Sequence, residues 1–106
     1  PDYQKLIMEI AKVIRVGFLQ QNAYHKDDTY VPLEKQFLMM KTILNLNEKA
    51  KTVTDAGIPL ARLTETGIFE KLIKMKSDIG NNDTDAFDRL NKEIDETVAA
   101  VNRSKR

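Results

Sequence analysis

Phe87-Asp88-Arg89-Leu90-Asn91-Lys92-Glu93-Ile94-Asp95-Glu96-Thr97-Val98-Ala99-Ala100-Val101 decides the fold class. Phe87, Leu90, Ile94, Val98 and Val101 recur at three- and four-residue intervals, one stripe of an α-helix, and the charges between them lie largely elsewhere. Upstream, Asp78 to Asp83 carries Gly80-Asn81-Asn82, which is turn chemistry. Before it, Ile68, Leu72, Ile73 and Met75 mark another helix up to Ser77, with Glu70 and Lys74 spaced as an i,i+4 ion pair. Ile58-Pro59-Leu60 interrupts the pattern and leads into a short helical turn.

Further upstream, Pro32 stands where a first helical residue would. Leu33, Phe37, Met40, Ile43, Leu44, Ala50 and Val53 are read as one face of a helix reaching about Ala56, before Gly57. At ~1.5 Å per residue it is roughly 37 Å long. Residues 20–31 show no periodic pattern and read as an irregular loop. Leu6, Ile7, Ile10, Ala11, Ile14 and Phe18 predict an amphipathic helix over 2–16, capped by Asp2 and ended or bent at Gly17. No window alternates with period two, so the expected fold is all-α: a bundle of about four main helices, no sheet, and one domain over 1–106.

Composition sets the bounds. Among 106 residues, 42% are hydrophobic and 7% aromatic, so the core is expected to be mostly aliphatic. Seventeen basic against 16 acidic residues leave a net charge of +1, which gives no general drive toward nucleic acid or an anionic membrane. Without cysteine there is no disulfide framework, thiol nucleophile or ordinary zinc site, a composition that fits a reducing compartment. The longest uncharged run, Val16 to His25, is about half of the ~20 residues a spanning helix needs, so no membrane insertion is expected. The sequence begins Pro1-Asp2-Tyr3-Gln4, with no secretory signal and no Met, and reads as a processed or excised piece.

Little here suggests catalysis by this chain alone. There is no GxxxxGK[ST] loop and no glycine-rich fingerprint. His25 lies between Tyr24 and Lys26 without an obvious partner and reads as a surface residue. Asp27 and Asp28 could join Glu34 around a cation, but adjacent carboxylates before a helix more often cap or are solvated. At least one of Met39 and Met40 reads as core rather than as part of an adaptable groove, and Arg103, Lys105 and Arg106 read as a frayed terminus. No catalytic and no metal-binding residue is assigned.

Gly17-Phe18-Leu19-Gln20-Gln21-Asn22-Ala23-Tyr24 stands apart: it is apolar, amide-rich and uncharged in a chain where 31% of residues are charged. Amide and aromatic side chains together can hold a flat heterocycle by stacking and hydrogen bonds. The alternative is a helix C-terminus whose Phe18 and Leu19 enter the core while the amides satisfy freed carbonyls. With His25-Lys26-Asp27-Asp28-Thr29-Tyr30 and Pro32-Leu33-Glu34-Lys35-Gln36 after it, this run resembles the start of the C-terminal domain of the catalytic A subunit of archaeal (A-type) and vacuolar rotary ATPases. The likeness covers essentially the whole chain, is densest from Asp2 to about Lys51, and is generic after Gly57.

The resemblance implies a helical bundle that follows a nucleotide-binding domain. It implies that residues matching Phe18 to Tyr24 lie against the adenine of ATP, with Tyr24 packing on the base and Gln21, Asn22 and Ala23 beside it. The phosphate-binding loop and the magnesium ligands would belong to the preceding domain, so ATP or ADP is expected on the full-length protein and neither on this piece, which should be inactive alone. The implied partners are the B subunits and the central-shaft subunit, on the cytoplasmic, peripheral side of the complex. Nucleotide-driven closure would swing the bundle against the shaft. The helix expected before Pro1 is missing, which would leave an apolar strip of helix one open to self-association. The competing reading is an independent helical interaction module with no nucleotide role; a nucleic-acid-binding domain is disfavoured by the balanced charge.

Overall fold

Pro32 and Gly57 bracket the longest helix of the computed structural model, which describes residues 2–19 and 31–104. Among the described residues five α-helices follow in order: α1 Asp2–Lys12, α2 Leu33–Asp55, α3 Ala61–Thr64, α4 Ile68–Asp78 and α5 Thr84–Arg103, with a π-helical segment, Val13–Leu19, continuing α1. Among the described residues there is no strand, as the periodicity requires. Pro32, which lacks an N–H, takes the N-cap position of α2, so the helix starts at Leu33, one residue later than the sequence reading put it. At the other end Gly57 adopts φ +78°, and Ile58 N–H donates to Val53 O at 3.1 Å while Gly57 N–H donates to Thr54 O at 3.0 Å. This left-handed cap satisfies the carbonyls that the helix end frees. Gly67, φ +83°, makes the corner between α3 and α4, and the Asp83 carboxylate caps α5 by accepting from Ala86 N–H at 3.1 Å.

α2 and α5 lie side by side and run in the same direction, since Thr42 meets Asn91, Lys49 meets Asp95 and Thr52 meets Asn102. α4 runs back against them, so its C-terminal end comes to the first turn of α2. α1 starts beside α3, where the Asp2 carboxylate accepts the N–H of Leu60 at 2.8 Å. Asp2 thus holds the entry to α3 rather than capping its own helix. On the surface of α4, Lys71 pairs with Glu93 of α5 instead of the i,i+4 pair of Glu70 and Lys74.

All five stripe residues of α5 are buried, together with Leu46, Leu63 and Leu72 from α2, α3 and α4. Two faces differ from the sequence reading. The buried stripe of α2 is Lys35, Met39, Thr42, Ile43, Leu46, Ala50 and Val53. Leu33, Phe37 and Leu44, assigned to that face, are 79%, 65% and 57% exposed. At about 100° per residue they fall, with Met40, on the opposite side of the helix. The inward stripe contains a lysine and a threonine, so counting apolar residues mixed two faces. On α1, Leu6 is buried and Ile10 half-buried; the open apolar residues are Tyr3, Ile7 and Met8.

Candidate functional site

Gln21, Asn22, Ala23 and Tyr24, the residues singled out from sequence, lie outside the described residues, as do His25, Asp27 and Asp28. The structure does describe the two stems that flank them. On the N-terminal side Gly17 does not end the helix: it lies within the π-helical segment, which runs on to Leu19. A π-helix closes its backbone hydrogen bonds between residues five apart instead of four, which widens the turn and re-aims the side chains relative to an α-helix. Val13 and Phe18 both turn inward, Val13 fully buried and Phe18 packed against the core.

Gly17 is buried because this segment presses on the backbone of α4. A Cβ at Gly17 would stand 2.8 Å from Ile73 Cα, 3.0 Å from Ile73 O and 3.1 Å from Leu72 O. Those atoms are backbone and cannot swing aside, so only glycine permits the approach.

On the C-terminal side, Lys35 in the first turn of α2 is 2% exposed. Its ammonium donates to Lys76 O at 2.8 Å, Ile79 O at 2.5 Å and Asn81 Oδ1 at 3.1 Å. These are acceptors at the end of α4, where the carbonyls lack helical partners and the macrodipole is negative. Burying an ammonium is unfavourable unless such acceptors meet it. Sequence reasoning missed Lys35. The signal was local: a cation in the first turn opposes the dipole of its own helix, which is tolerated when another helix supplies its negative end.

Two clefts open among the described residues. One, about 540 Å³, lies between α1 and the α3 turn and is lined by Lys5, Lys12, Arg15, Glu9, Met8 and Leu60 among others. The second, about 440 Å³, follows the α2/α5 seam, with Lys41, Asn45, Asp88, Asn91, Lys92 and Asp95 along it. Beside this cleft runs a polar ladder. Asn91 Nδ2 donates to Thr42 Oγ1 (3.0 Å) and to Phe87 O (2.8 Å), Asn45 Nδ2 donates to Asn91 Oδ1 (2.9 Å), and Lys49 Nζ reaches Asp95 Oδ1 (2.9 Å). Among the described residues no group of three His, Cys, Asp or Glu side chains is placed to hold a metal ion, and no helix is long and apolar enough to cross a membrane.

The described residues thus define an all-helical domain. Residues 1–61 match the family model described as the C-terminal domain of V and A type ATP synthase. The chain is 46% identical over 94 residues to a V-type ATP synthase alpha chain 2 of Clostridium tetani, 89% of this chain and 16% of that protein. It is 45% identical over 96 residues to the V-type ATP synthase alpha chain of Halothermothrix orenii, and 38% identical over 96 residues to the A subunit of the A-type ATP synthase of Methanopyrus kandleri, in each case 91% of this chain and 16% of the relative. The chain belongs to this family of C-terminal domains of V and A type ATP synthases. Bacterial relatives stand beside the archaeal one, so the membership shown is that of the V and A types together, without singling out the archaeal branch. The chain spans 16% of the length of these relatives.

Proposed function

We propose that this domain forms the adenine-side wall of the ATP site in a V/A-type catalytic subunit, and that it passes nucleotide-driven motion to the central shaft. The observation that carries the reading is that the Gly17–Tyr24 run falls inside the family match over 1–61. Tyr24 supplies the ring for the base, and Gln21, Asn22 and Ala23 sit beside it. Phosphates and magnesium are held by the remainder of the longer protein, of which 1–106 is a single C-terminal domain. Its neighbours are B subunits and the shaft subunit, at the cytoplasmic, peripheral face of the complex.

A lever of this kind needs a stiff body, and the structure supports that. α2 is 23 residues long, roughly 35 Å, and is locked in register to the 20-residue α5 by the polar ladder as well as by apolar packing. The outer apolar stripe of α2, Leu33, Phe37 and Leu44, offers contact area to neighbouring subunits. ATP titration of the full-length protein carrying Tyr24→Ala tests the nucleotide half of the reading. Affinity equal to wild type would refute it.

A further inference from the structure

Leu33, Phe37, Met40 and Leu44 follow one another along α2 at spacings of four, three and four residues, on the side turned away from its buried stripe. Leu33, Phe37 and Leu44 are exposed and Met40 is half-buried. That spacing is the step of a coiled-coil seam, with two apolar residues per heptad. Asn47 and Lys51, the next positions on the line, are polar and end it. Charge flanks the seam on one side: Glu34 and Lys41, both exposed, each stand one residue after a seam position.

Two copies of this seam fit each other in one orientation. Run antiparallel, Leu33 of one faces Leu44 of the other and Phe37 faces Met40. Both pairs are centred between Leu38 and Met39, so a single two-fold axis serves them all, as an isologous contact requires. Methionine sulfur against an aromatic ring is itself favourable. The same axis sets Glu34 within about two residues of the level of Lys41 in the second copy, roughly 3 Å along the helix, and does so twice. These side chains span that offset, so each copy supplies the opposite charge that the other needs. Parallel pairing would instead stack Phe37 on Phe37, set Lys41 beside the neutral Gln36 and align the two helix dipoles.

We propose that, where no other subunit covers it, the outer face of α2 is a homodimer seam, closed by α2 of a second copy running antiparallel across a two-fold axis at Leu38 and Met39. The proposal does not depend on the adenine-wall reading. Two heptads make a contact well below the ~1,200 Å² at the low end of stable interfaces, so the dimer is weak and depends on concentration.

Sedimentation equilibrium of the 106-residue chain tests it, with Met8→Glu in every protein so that association through α1 does not enter the comparison. This parent should show a monomer–dimer equilibrium, and Phe37→Gln should weaken it at least about tenfold by removing the central ring. Glu34→Lys or Lys41→Glu turns two opposite-charge pairs into two like-charge pairs and should weaken the dimer about five- to thirtyfold at low salt. Combined, the two substitutions exchange the charges and should restore affinity to within about threefold of the parent. A parent that stays monomeric at millimolar concentration overturns the proposal, and so does a double variant no tighter than the singles.

Cross-linking reads the register independently, because the chain has no cysteine of its own. A mixture of Leu33→Cys and Leu44→Cys proteins should link through a short thiol reagent. Neither should link to itself, since the two copies of position 33, or of position 44, would lie eleven residues or about 16 Å apart along the seam. Self-linking as fast as the mixture overturns the antiparallel arrangement. All the seam positions altered are exposed or lie on the outer face, so loss of pairing is read without loss of the core.

Discussion

Asn91 of α5 donates to Thr42 of α2 across 3.0 Å, at a point where the threonine has no exposed surface. Thr42 Oγ1 in turn donates to Leu38 O at 2.7 Å. The pair is a polar contact at the packed seam between the two longest helices. Thr42→Val keeps the shape and removes both bonds, leaving a part-buried amide short of an acceptor. We expect a loss of about 1 to 3 kcal/mol in urea unfolding, with an unchanged denaturant slope. A loss below about half a kilocalorie would show that water replaces the threonine without strain.

The two faces of α2 make opposite predictions. Ile43 and Leu46 are completely buried, so Ile43→Ala or Leu46→Ala should each cost about 2 to 5 kcal/mol. Phe37 is 65% exposed, and Phe37→Gln should stay within about 0.5 kcal/mol of wild type. If Phe37→Gln destabilises as much as Ile43→Ala in the isolated domain, the helix is rotated from the position described.

That rotation shows what the sequence could and could not reveal. On α5 every inward position is apolar, so its stripe was legible, and Leu90→Ala should cost about 2 to 5 kcal/mol. On α2 the inward stripe includes Lys35 and Thr42 while the outward side carries Leu33, Phe37 and Leu44, so hydropathy alone cannot phase the helix. Lys35 is buried because α4 ends beside it, and position 17 admits only glycine because the α4 backbone passes within contact. Both facts arise between segments far apart in the chain, and no local pattern encodes them. At the candidate site the amide and aromatic chemistry was visible, but its tie to adenine came only through the likeness to a family.

Tyr3 and Met8 are 59% and 71% exposed and Ile7 is 50% exposed, all on α1. In the isolated chain this surface should drive weak self-association, visible as a concentration-dependent mass in analytical ultracentrifugation and reduced by Met8→Glu. A strictly monomeric species at high concentration would remove this expectation.

The isolated chain should release no phosphate from ATP above background in the presence of magnesium, because the proposed division of labour leaves phosphates and metal to the rest of the protein. Magnesium-dependent hydrolysis by the pure 106-residue chain would contradict that division.

Tyr24 gives the sharpest test of the adenine wall. Stacking uses the π face of the ring and not its hydroxyl, so in the full-length protein Tyr24→Phe should bind ATP like wild type. Tyr24→Ala removes the face and should weaken ATP by about 1 to 3 kcal/mol, the range for a base on an aromatic side chain. The isolated chain should bind ATP weakly at best, since one wall of a base pocket cannot hold a triphosphate. Side-by-side titration of the three full-length proteins decides the matter. An Ala variant that matches wild type returns the segment to the alternative, a helix terminus whose amides serve only its own backbone, whereas a Phe variant that fails like Ala points to the hydroxyl and to a hydrogen bond in place of stacking.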